Sequence, residues 1–423
     1  MKLSIVGKVF TPDGITDGGV VIEKGMITRV GGNVSPSDAM KLRDEEIVLP
    51  GLIDMHVHMR DFEQSKKEDF LSGTMAAAMG GFTAVVDMPN TKPPVNSIPT
   101  LLKRDATAGS KALVDYGIYY GIPHSAADLG EKVRELATGF KLFMQKEFYS
   151  ELRPEVLRTL KYAAENNKTV VVHAENPKFY ADEGMGPAGT PDAEASAVAE
   201  ISSIAERIGF RLHITHLSSY LGARELALWK KKIKITADTC PCYLLLTRED
   251  VERIGAVAKV HPPIKSREDR EALLGALKAG QIDAVSSDHA PHLPEEKKDP
   301  RSASPGFPGL ETTLPLMLTL VNRGVIELED LVRACAEAPA RILGLKMLGS
   351  IEEGKIGNLT VVDMSKRWRI DPKAFVSRGK YSPFEGFEVI GAPAATVVRG
   401  KIVMDHGTIT GEQGWGRNVA TFG

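Results

Sequence analysis

Short apolar runs recur along the middle of the chain, and segments with helical periodicity separate them. The runs fall at eight places: 51–58, 82–88, 112–120, 138–144, 168–173, 211–216, 233–238 and 282–287. Continuous apolar runs of this length are typical of strands that are buried on both faces of a parallel sheet. Their alternation with helical segments predicts an α/β protein with a closed (β/α)8 TIM-type barrel, and an open doubly wound sheet is the alternative.

Helix signals occur between the predicted strands. Thr190 and Pro191 suit the N-cap and first position of a helix, and Gly209 suits the left-handed residue that ends one. Ser266 with Asp269 matches a capping box. The apolar residues that follow each start signal repeat at helical spacing, so both helices are predicted to pack one face against the barrel.

The N-terminal residues follow a different pattern. Short strand-like runs at 2–6, 20–23, 26–30 and 46–49 are bounded by turn residues such as Asp17-Gly18-Gly19. Closely spaced short strands with glycine-rich turns are typical of antiparallel sheets.

The same pattern returns near the C-terminus, where Val398-Arg399-Gly400-Lys401 predicts a hairpin turn. We therefore expect residues 1–50 and 355–423 to form one small β-sandwich domain from both chain ends. Residues 51–354 would form the barrel domain, and residues 325–348 would supply helices that lead back from the barrel.

Composition narrows the class of function. The chain has 423 residues and a formal net charge of −2, with ordinary hydrophobic and charged contents of 43% and 26%. This balance favours neither nucleic acid nor an anionic membrane as a partner, and neither a membrane span nor a signal peptide is present in the pattern. The three cysteines, Cys240, Cys242 and Cys335, favour a reducing cytoplasm. We expect a cytoplasmic protein in which local cations must bind any anionic substrate.

Side chains able to bind metal lie at the ends of several predicted strands. His56 and His58 end the first strand, where the period of two turns both imidazoles the same way. His173 ends the fifth strand, His216 the sixth, and Asp288 follows the eighth. Each alone could be a satisfied core residue or a helix cap. Because the carboxyl ends of barrel strands build one site, their recurrence predicts a metal centre.

Lys141 interrupts the apolar run of the fourth strand. A protonated amine cannot bind metal, but burial favours the neutral form. A neutral amine can react with carbon dioxide to give an anionic carbamate that bridges two cations. The predicted ligands are then His56, His58 and Asp288 on one metal, His173 and His216 on the other, and Lys141 between them. Zinc suits such ligands, and manganese or cobalt could replace it.

His213 and the Cys240–Cys242 pair are weaker candidates for metal ligands. His213 lies deeper on its strand, which favours a structural role. Cys240-Pro241-Cys242 lacks the second cysteine pair of a structural zinc site.

Longer motifs carry a resemblance to a known family. Residues 50–60, 67–74, 80–94, 287–292 and 305–312 include Asp-Met-His-Val-His-Met-Arg, Asp-Met-Pro-Asn-Thr and Ser-Asp-His-Ala-Pro-His. Together they resemble the amidohydrolase superfamily and, among its cyclic amidohydrolases, the class I dihydroorotases most closely. The resemblance covers nearly the whole chain.

This resemblance implies reversible hydrolysis of L-dihydroorotate to N-carbamoyl-L-aspartate in pyrimidine biosynthesis. It implies that a hydroxide held between two metals attacks the ring amide carbonyl. It also implies that Asp288 takes the proton and passes it to the departing ring nitrogen. Relatives are often dimeric, and some associate with a carbamoyltransferase, so the resemblance leaves a homodimer and such an association open.

The family resemblance also assigns substrate contacts. Arg60, Asn90 and His292 occupy the positions that hold the substrate carboxylate, where a guanidinium can bind bidentately. The backbone at Pro305 and Gly306 would contact the ring, because glycine lets a main chain approach closely.

Three positions bear on the match with class I enzymes. His261 precedes two prolines where many relatives carry Asn, which leaves open which side chain contacts the ring. Cys242 stands where many carry a histidine. Some class I enzymes have Asp at the bridging position, and Lys141 places this chain with those that carbamylate.

Other functions remain as alternatives. Allantoinases and hydantoinases share the metal ligands but not the carboxylate clamp. A catalytically silent scaffold, a metal-dependent nuclease or a phosphotriesterase could use the same barrel. The complete ligand set disfavours the scaffold. The Asp-His-Ala-Pro-His segment at 288–292 and the neutral overall charge disfavour the nuclease and the phosphotriesterase.

Overall fold

The computed structural model describes residues 1–32, 34, 39–182 and 184–422. The chain begins with the strands β1 (Lys2–Thr11), β2 (Gly14–Glu23), β3 (Met26–Val30), β4 (Met40–Lys41) and β5 (Glu46–Pro50). β1 and β2 pair antiparallel along their whole length.

One predicted turn is wrong. Asp17-Gly18-Gly19 lies inside β2, where it pairs with residues 6–8 of β1. The turn falls instead at Pro12 and Asp13, which are also favoured turn residues. Adjacent glycines are typical of turns, but they can also occur within a strand, as Gly18 and Gly19 do here.

The central part of the chain supplies the barrel. Its strands are β6 (Leu52–Val57), β7 (Phe82–Asp87), β8 (Asp115–Tyr120), β9 (Gly139–Phe143), β10 (Thr169–His173), β11 (Tyr180–Asp182), β12 (Pro187–Gly189), β13 (Arg211–Ile214), β14 (Ile235–Thr239) and β15 (Ala284–Val285). β11 and β12 form a separate two-stranded antiparallel sheet in the described part of the chain. The other eight form one sheet in the order β15-β14-β13-β10-β9-β8-β7-β6, with every pair parallel.

This sheet confirms the predicted barrel and all eight of its strands. The ring is joined near β6 and β15, where the amide of His58 donates to the carbonyl of His289 at 2.8 Å. The last strand is shorter than predicted. Its chain leaves the ladder at Ser287, whose amide donates to the carboxylate of Asp54.

The helices are α1 (Phe70–Met79), α2 (Ile98–Lys111), α3 (Glu131–Leu136), α4 (Arg153–Glu165), α5 (Pro191–Ile208), α6 (Tyr220–Trp229), α7 (Pro241–Leu245), α8 (Arg248–Ile254), α9 (Arg267–Lys278), α10 (Leu310–Asn322), α11 (Leu328–Val332) and α12 (Ala338–Leu343). The predicted helix signals are confirmed. Thr190 caps α5, which ends at Gly209 with φ 85°. Ser266 and Asp269 form the capping box of α9.

Four further strands complete the fold: β16 (Leu359–Arg369), β17 (Glu388–Val398), β18 (Lys401–Asp405) and β19 (Thr408–Ile409). They join the N-terminal strands in one continuous sheet, in the order β19-β18-β17-β16-β5-β1-β2-β3, with β4 beside β1. The β-rich unit built from both chain ends is therefore present, and Arg399 and Gly400 make its predicted hairpin turn. The exact division at residues 50 and 355 stays a prediction.

Buried side chains fill the barrel interior. Ile53, Ala84, Tyr119, Val171 and Ala284 come from five different barrel strands and belong to one apolar cluster. The barrel is thus a packed support for the polar side chains at its carboxyl end. Among the residues described, no helix has the length and apolar character needed to cross a bilayer.

Candidate metal centre and active site

A cavity of about 390 Å³ lies where the barrel strands end. Its lining includes these predicted site residues: His56, His58, His173, His216, Asp288, Arg60, Asn90, His292, Pro305, Gly306 and His261. Lys141 is fully buried. It is close enough to both His56 and Asp288 to interact with them electrostatically. The fold therefore brings every predicted site residue to one place.

His56, His58 and Asp288 form one compact group. The Nε2 atoms of His56 and His58 lie 3.2 and 3.1 Å from Oδ1 of Asp288. The Nδ1 atom of His56 donates to the hydroxyl of Thr215 at 2.5 Å. The Nδ1 atom of His58 donates to Oδ1 of Asn90 at 2.8 Å. These bonds turn both Nε2 lone pairs and the carboxylate towards the same point, as three ligands of one cation require.

His173 and His216 form a second group beside the first. Nδ1 of His173 lies 3.0 Å from Nε2 of His216, and the rings of His216 and His56 are 5.2 Å apart. Burial lowers the pKa of His173 to about 4 and holds the pKa values of His56 and His216 well below the usual value. The imidazoles are therefore neutral, which is the form that binds metal.

Lys141 fits the position between these groups. Its Nζ is buried without a hydrogen-bond partner among the described residues, and it lies 4.8 Å from the centre of the Phe143 ring. Burial lowers the pKa of Lys141 to about 7, so much of the amine is neutral and able to form a carbamate. Nδ1 of His216 is likewise unpartnered within the described structure. This donor set fits two cations bridged by an anionic group.

Three of the site residues have left-handed backbone conformations. The φ values are 52° at Arg60, 44° at His216 and 46° at Asp288. Such a conformation is unfavourable for a residue other than glycine, costing of order 1–3 kcal/mol, and it is concentrated at functional sites in proteins. The surrounding hydrogen bonds hold it in place here, as the 2.6 Å bond from the His216 amide to Asp238 shows.

Asp238 is a buried acid that the sequence analysis missed. It accepts hydrogen bonds from Nε2 of His213 at 2.9 Å and from the hydroxyls of Thr215 and Ser286 at 3.0 and 2.9 Å. With the His216 amide, these bonds tie the strands around the second ligand group together. The structural role expected for His213 agrees with its contacts. An acid inside the apolar run of the seventh strand is the signal that could have identified Asp238.

Asp54 has the matching role at the seam of the barrel. It accepts from the amide of His56 at 3.0 Å and from the amide of Ser287 at 3.1 Å. Burial raises the pKa of Asp54 to about 7. Asp54 thus fixes the backbone next to the first ligand group on both sides of the seam.

Arg60 is a buried cation that faces the cavity. Its Nε donates to the carbonyl of Pro291 at 3.1 Å, and one terminal nitrogen donates to Nε2 of His292 at 3.0 Å. Throughout the described chain, no carboxylate lies within ion-pair distance of this guanidinium. A buried charge without a counter-ion is costly, so the site favours an anionic ligand.

The loop after the last strand brings backbone to the cavity wall. At Gly306, φ is 122°, and an added Cβ would lie 2.6 Å from Cβ of Ala290 and 3.5 Å from Nε2 of His292. Nζ of Lys297 donates to the carbonyls of Ser304 and Gly306 at 2.9 and 3.0 Å. The loop is therefore anchored from behind, and only glycine fits at its closest approach.

His261 has an unexpected partner. Its Nε2 lies 2.9 Å from Oε2 of Glu175, and its ring stacks on His173 at 5.1 Å. His173, Glu175 and His261 form a second metal-competent group besides that of His56, His58 and Asp288. Glu175 was not among the site residues predicted from the sequence. Cys240 and Cys242 are buried and belong to neither group.

The buried Arg104–Asp87 ion pair contacts the backbone of the site at Arg60. Both side chains are fully buried, two guanidinium nitrogens lie 2.7 and 2.9 Å from one Asp87 oxygen, and a third donates to the carbonyl of Arg60. We expect Arg104→Met to lower the free energy of unfolding by about 3–5 kcal/mol, because it leaves Asp87 buried and unpaired. Urea denaturation followed by circular dichroism measures this loss.

Two variants control for that loss. Arg104→Met combined with Asp87→Asn should recover part of it, because the unpaired charge is removed. Lys132→Met breaks an exposed ion pair with Glu135 and should leave the denaturation midpoint unchanged. Equal midpoints for Arg104→Met and Lys132→Met would show that the buried pair has no stabilising role.

Comparison with known proteins gives similar sequences over the full chain. Proteins named Dihydroorotase from Pyrococcus horikoshii and Geobacter sp. are 36% and 37% identical to it. The first alignment covers 97% of this chain and 94% of the relative, and the second covers 95% and 98%.

Solved structures agree on the fold. An L-hydantoinase (dihydropyrimidinase) from Arthrobacter aurescens superposes with a TM-score of 0.90 at 30% identity, covering 98% of this chain and 99% of that one. A D-hydantoinase (dihydropyrimidinase) from Thermus sp. gives 0.90 at 26% identity, covering 99% and 98%. Residues 47–403 match the Amidohydrolase family. This chain therefore belongs to the amidohydrolase family.

Proposed function

We propose that this protein is a dihydroorotase, which interconverts L-dihydroorotate and N-carbamoyl-L-aspartate. The observation that carries the proposal is Arg60, a buried cation that has no carboxylate within ion-pair distance among the described residues and faces the same cavity as the metal-competent side chains. Dihydroorotate is a cyclic amide with a carboxylate, so it offers both the bond and the charge that such a cavity suits. The relatives named Dihydroorotase support this choice.

The proposed cofactors are two zinc ions, with manganese or cobalt as substitutes. Their ligands would be His56, His58, His173, His216, Asp288 and a Lys141 carbamate. When bound, such cations polarise a carbonyl oxygen and lower the pKa of water towards about 7.

Asp288 is the proposed general base and acid. Its carboxylate is partly exposed to the cavity, so it can reach both water and substrate. It would accept the proton released when water adds to the ring carbonyl, and it would then donate that proton to the departing ring nitrogen. In the reverse direction the same oxygen would remove the proton from the attacking ureido nitrogen, as microscopic reversibility requires.

The clamp residues would orient the substrate. Arg60 can donate to the carboxylate in a forked geometry. Oδ1 of Asn90 is bound to His58, which leaves its amide N–H groups for the substrate. Nε2 of His292 accepts from Arg60 in the structure, so its contribution begins with fixing that guanidinium.

Hydrolysis assays separate this function from its rivals. Purified protein loaded with zinc should hydrolyse dihydroorotate, measured as loss of far-ultraviolet absorbance. The alternative is a hydantoinase, which the structural similarity to hydantoinases favours. Turnover of hydantoin or allantoin without turnover of dihydroorotate would overturn the proposal, and no turnover with zinc bound would indicate a scaffold.

We expect Arg60→Met to raise KM for dihydroorotate by roughly 10–100-fold, because it removes a charge-assisted contact with the carboxylate. Zinc content should not change, since Arg60 binds neither ligand group. Steady-state kinetics and metal analysis on the same preparation measure both quantities.

Arg60→Lys is the matched control for the clamp. Lysine keeps the charge but cannot bind the carboxylate bidentately as a guanidinium does. The KM of this variant should therefore lie between those of the wild type and Arg60→Met. An unchanged KM in Arg60→Met would remove the clamp from the proposal.

The proposal includes a cytoplasmic enzyme with a small-molecule substrate and no nucleic-acid or membrane partner. Light scattering after size-exclusion chromatography tests the homodimer. The same measurement with an added carbamoyltransferase tests that association.

A further inference from the structure

We propose that Glu175 is a positioning residue that holds His173 and ties it to His261, so that the metal centre and the cavity wall form one hydrogen-bonded unit. This rests on the proposed function only in assuming that His173 binds a cation. Glu175 is neither one of the proposed zinc ligands nor part of the carboxylate clamp.

Three side chains converge on one oxygen of Glu175. Its Oε2 lies 2.6 Å from Nε2 of His173, 2.9 Å from Nε2 of His261 and 3.3 Å from the hydroxyl of Tyr180. Glu175 is fully buried.

The bond to Glu175 decides which nitrogen of His173 can bind metal. Because Nε2 donates to the carboxylate, the lone pair of the neutral ring is on Nδ1. Nδ1 is the atom that lies 3.0 Å from Nε2 of His216. A carboxylate on the outer nitrogen of a ligand histidine fixes both its tautomer and its orientation.

His261 extends this unit to the substrate. Its ring lines the cavity and stacks on His173 with an interplanar angle of 17°. With Nε2 turned to Glu175, only Nδ1 and the ring edge of His261 remain for contact with a ligand. The carboxylate of Glu175 therefore fixes the orientation of both His261 and the proposed metal ligand His173.

The hairpin of β11 and β12 closes over the carboxylate. A Cβ added at Gly189 would lie 1.8 Å from Oε1 of Glu175, so the main chain packs directly against it. Tyr180, at the other strand of the hairpin, donates its hydroxyl to Oε2. The close packing leaves Glu175 one position, which is what a positioning residue needs.

Zinc retention tests the proposal without using activity. Wild type, Glu175→Gln and Gly189→Ala are loaded with zinc and titrated with a chromophoric chelator. We expect both variants to release one of two zinc equivalents at roughly 10–100-fold lower chelator concentration, as loss of such a partner does in other sites. The Gly189→Ala methyl group displaces the carboxylate without changing its chemistry, so it serves if Glu175→Gln does not fold.

Glu311→Gln is the matched control. Glu311 is a largely buried glutamate that accepts from the amides of Val376 and Ser377 and contacts none of the proposed ligands. It should keep both equivalents at wild-type affinity. Wild-type retention in both Glu175→Gln and Gly189→Ala would overturn the proposal.

The group of His173, Glu175 and His261 could instead hold a cation of its own. In that case the wild type would bind a third equivalent, and His261→Asn would lose it, which would also overturn the proposal. A wild type that retains zinc as expected but does not hydrolyse dihydroorotate would refute the proposed function alone.

Discussion

Replacing Lys141 with alanine is expected to abolish binding of both metals and to lower the rate of dihydroorotate hydrolysis by roughly 10³-fold or more, since metal ions supply several kcal/mol to such reactions. The physical reason is the state of the amine. Its Nζ is buried without a partner in the described structure, and burial lowers the pKa to about 7. A carbamate there would add, to the four imidazole ligands, the anionic group that two cations need. Plasma mass spectrometry for zinc, with the absorbance assay, measures both losses.

Two controls make this result specific. Short carboxylic acids should restore part of the zinc and the rate to Lys141→Ala, because they can occupy the space of the carbamate. Lys168→Ala should keep the wild-type zinc content and rate. Burial also lowers the pKa of Lys168, but its Nζ donates to the carbonyl of Ala137 and belongs to no predicted ligand group. A Lys141→Ala protein with full zinc and full rate would make Lys141 a structural residue only.

The barrel could be predicted from sequence because its signal is local. Each strand is a short apolar run, and each helix signal, such as Thr190 or the Ser266–Asp269 pair, lies within a few residues. The grouping of the candidate metal ligands could also be predicted, because a parallel barrel brings the carboxyl ends of all its strands to one rim. His56 and His173 are 117 residues apart in the sequence, yet both line one cavity.

The supporting acids could not be predicted in the same way. Asp54, Asp238 and Glu175 act through partners on other strands and loops, and their sequence neighbours do not indicate those partners. The left-handed backbone at His216 was equally hidden, since its amide is held by a tertiary hydrogen bond to Asp238 rather than by residue type. Local rules therefore identify the candidate ligands, and the packed structure decides their orientation.

This division matters for telling related activities apart. Hydantoinases share the fold of this chain at a TM-score of 0.90, so the fold alone does not select a substrate. The selecting feature that we propose is Arg60, which accepts from Arg104 at its carbonyl and donates to His292 from its guanidinium. A substrate without a carboxylate would leave that buried charge unpaired, which is the physical basis for expecting dihydroorotate.

Asp288→Asn is expected to lower kcat by about 10²–10⁴-fold, the usual contribution of a general acid and base. Asn keeps an oxygen near His56 and His58 but cannot hold a proton, so zinc content should fall by no more than one equivalent. Asp283→Asn, at the opposite end of the same barrel strand, breaks a contact with Lys230 and should cost stability while leaving kcat unchanged. Because the proton must move from water to the ring nitrogen, an Asp288→Asn enzyme that turns over at the wild-type rate would assign that transfer to another group.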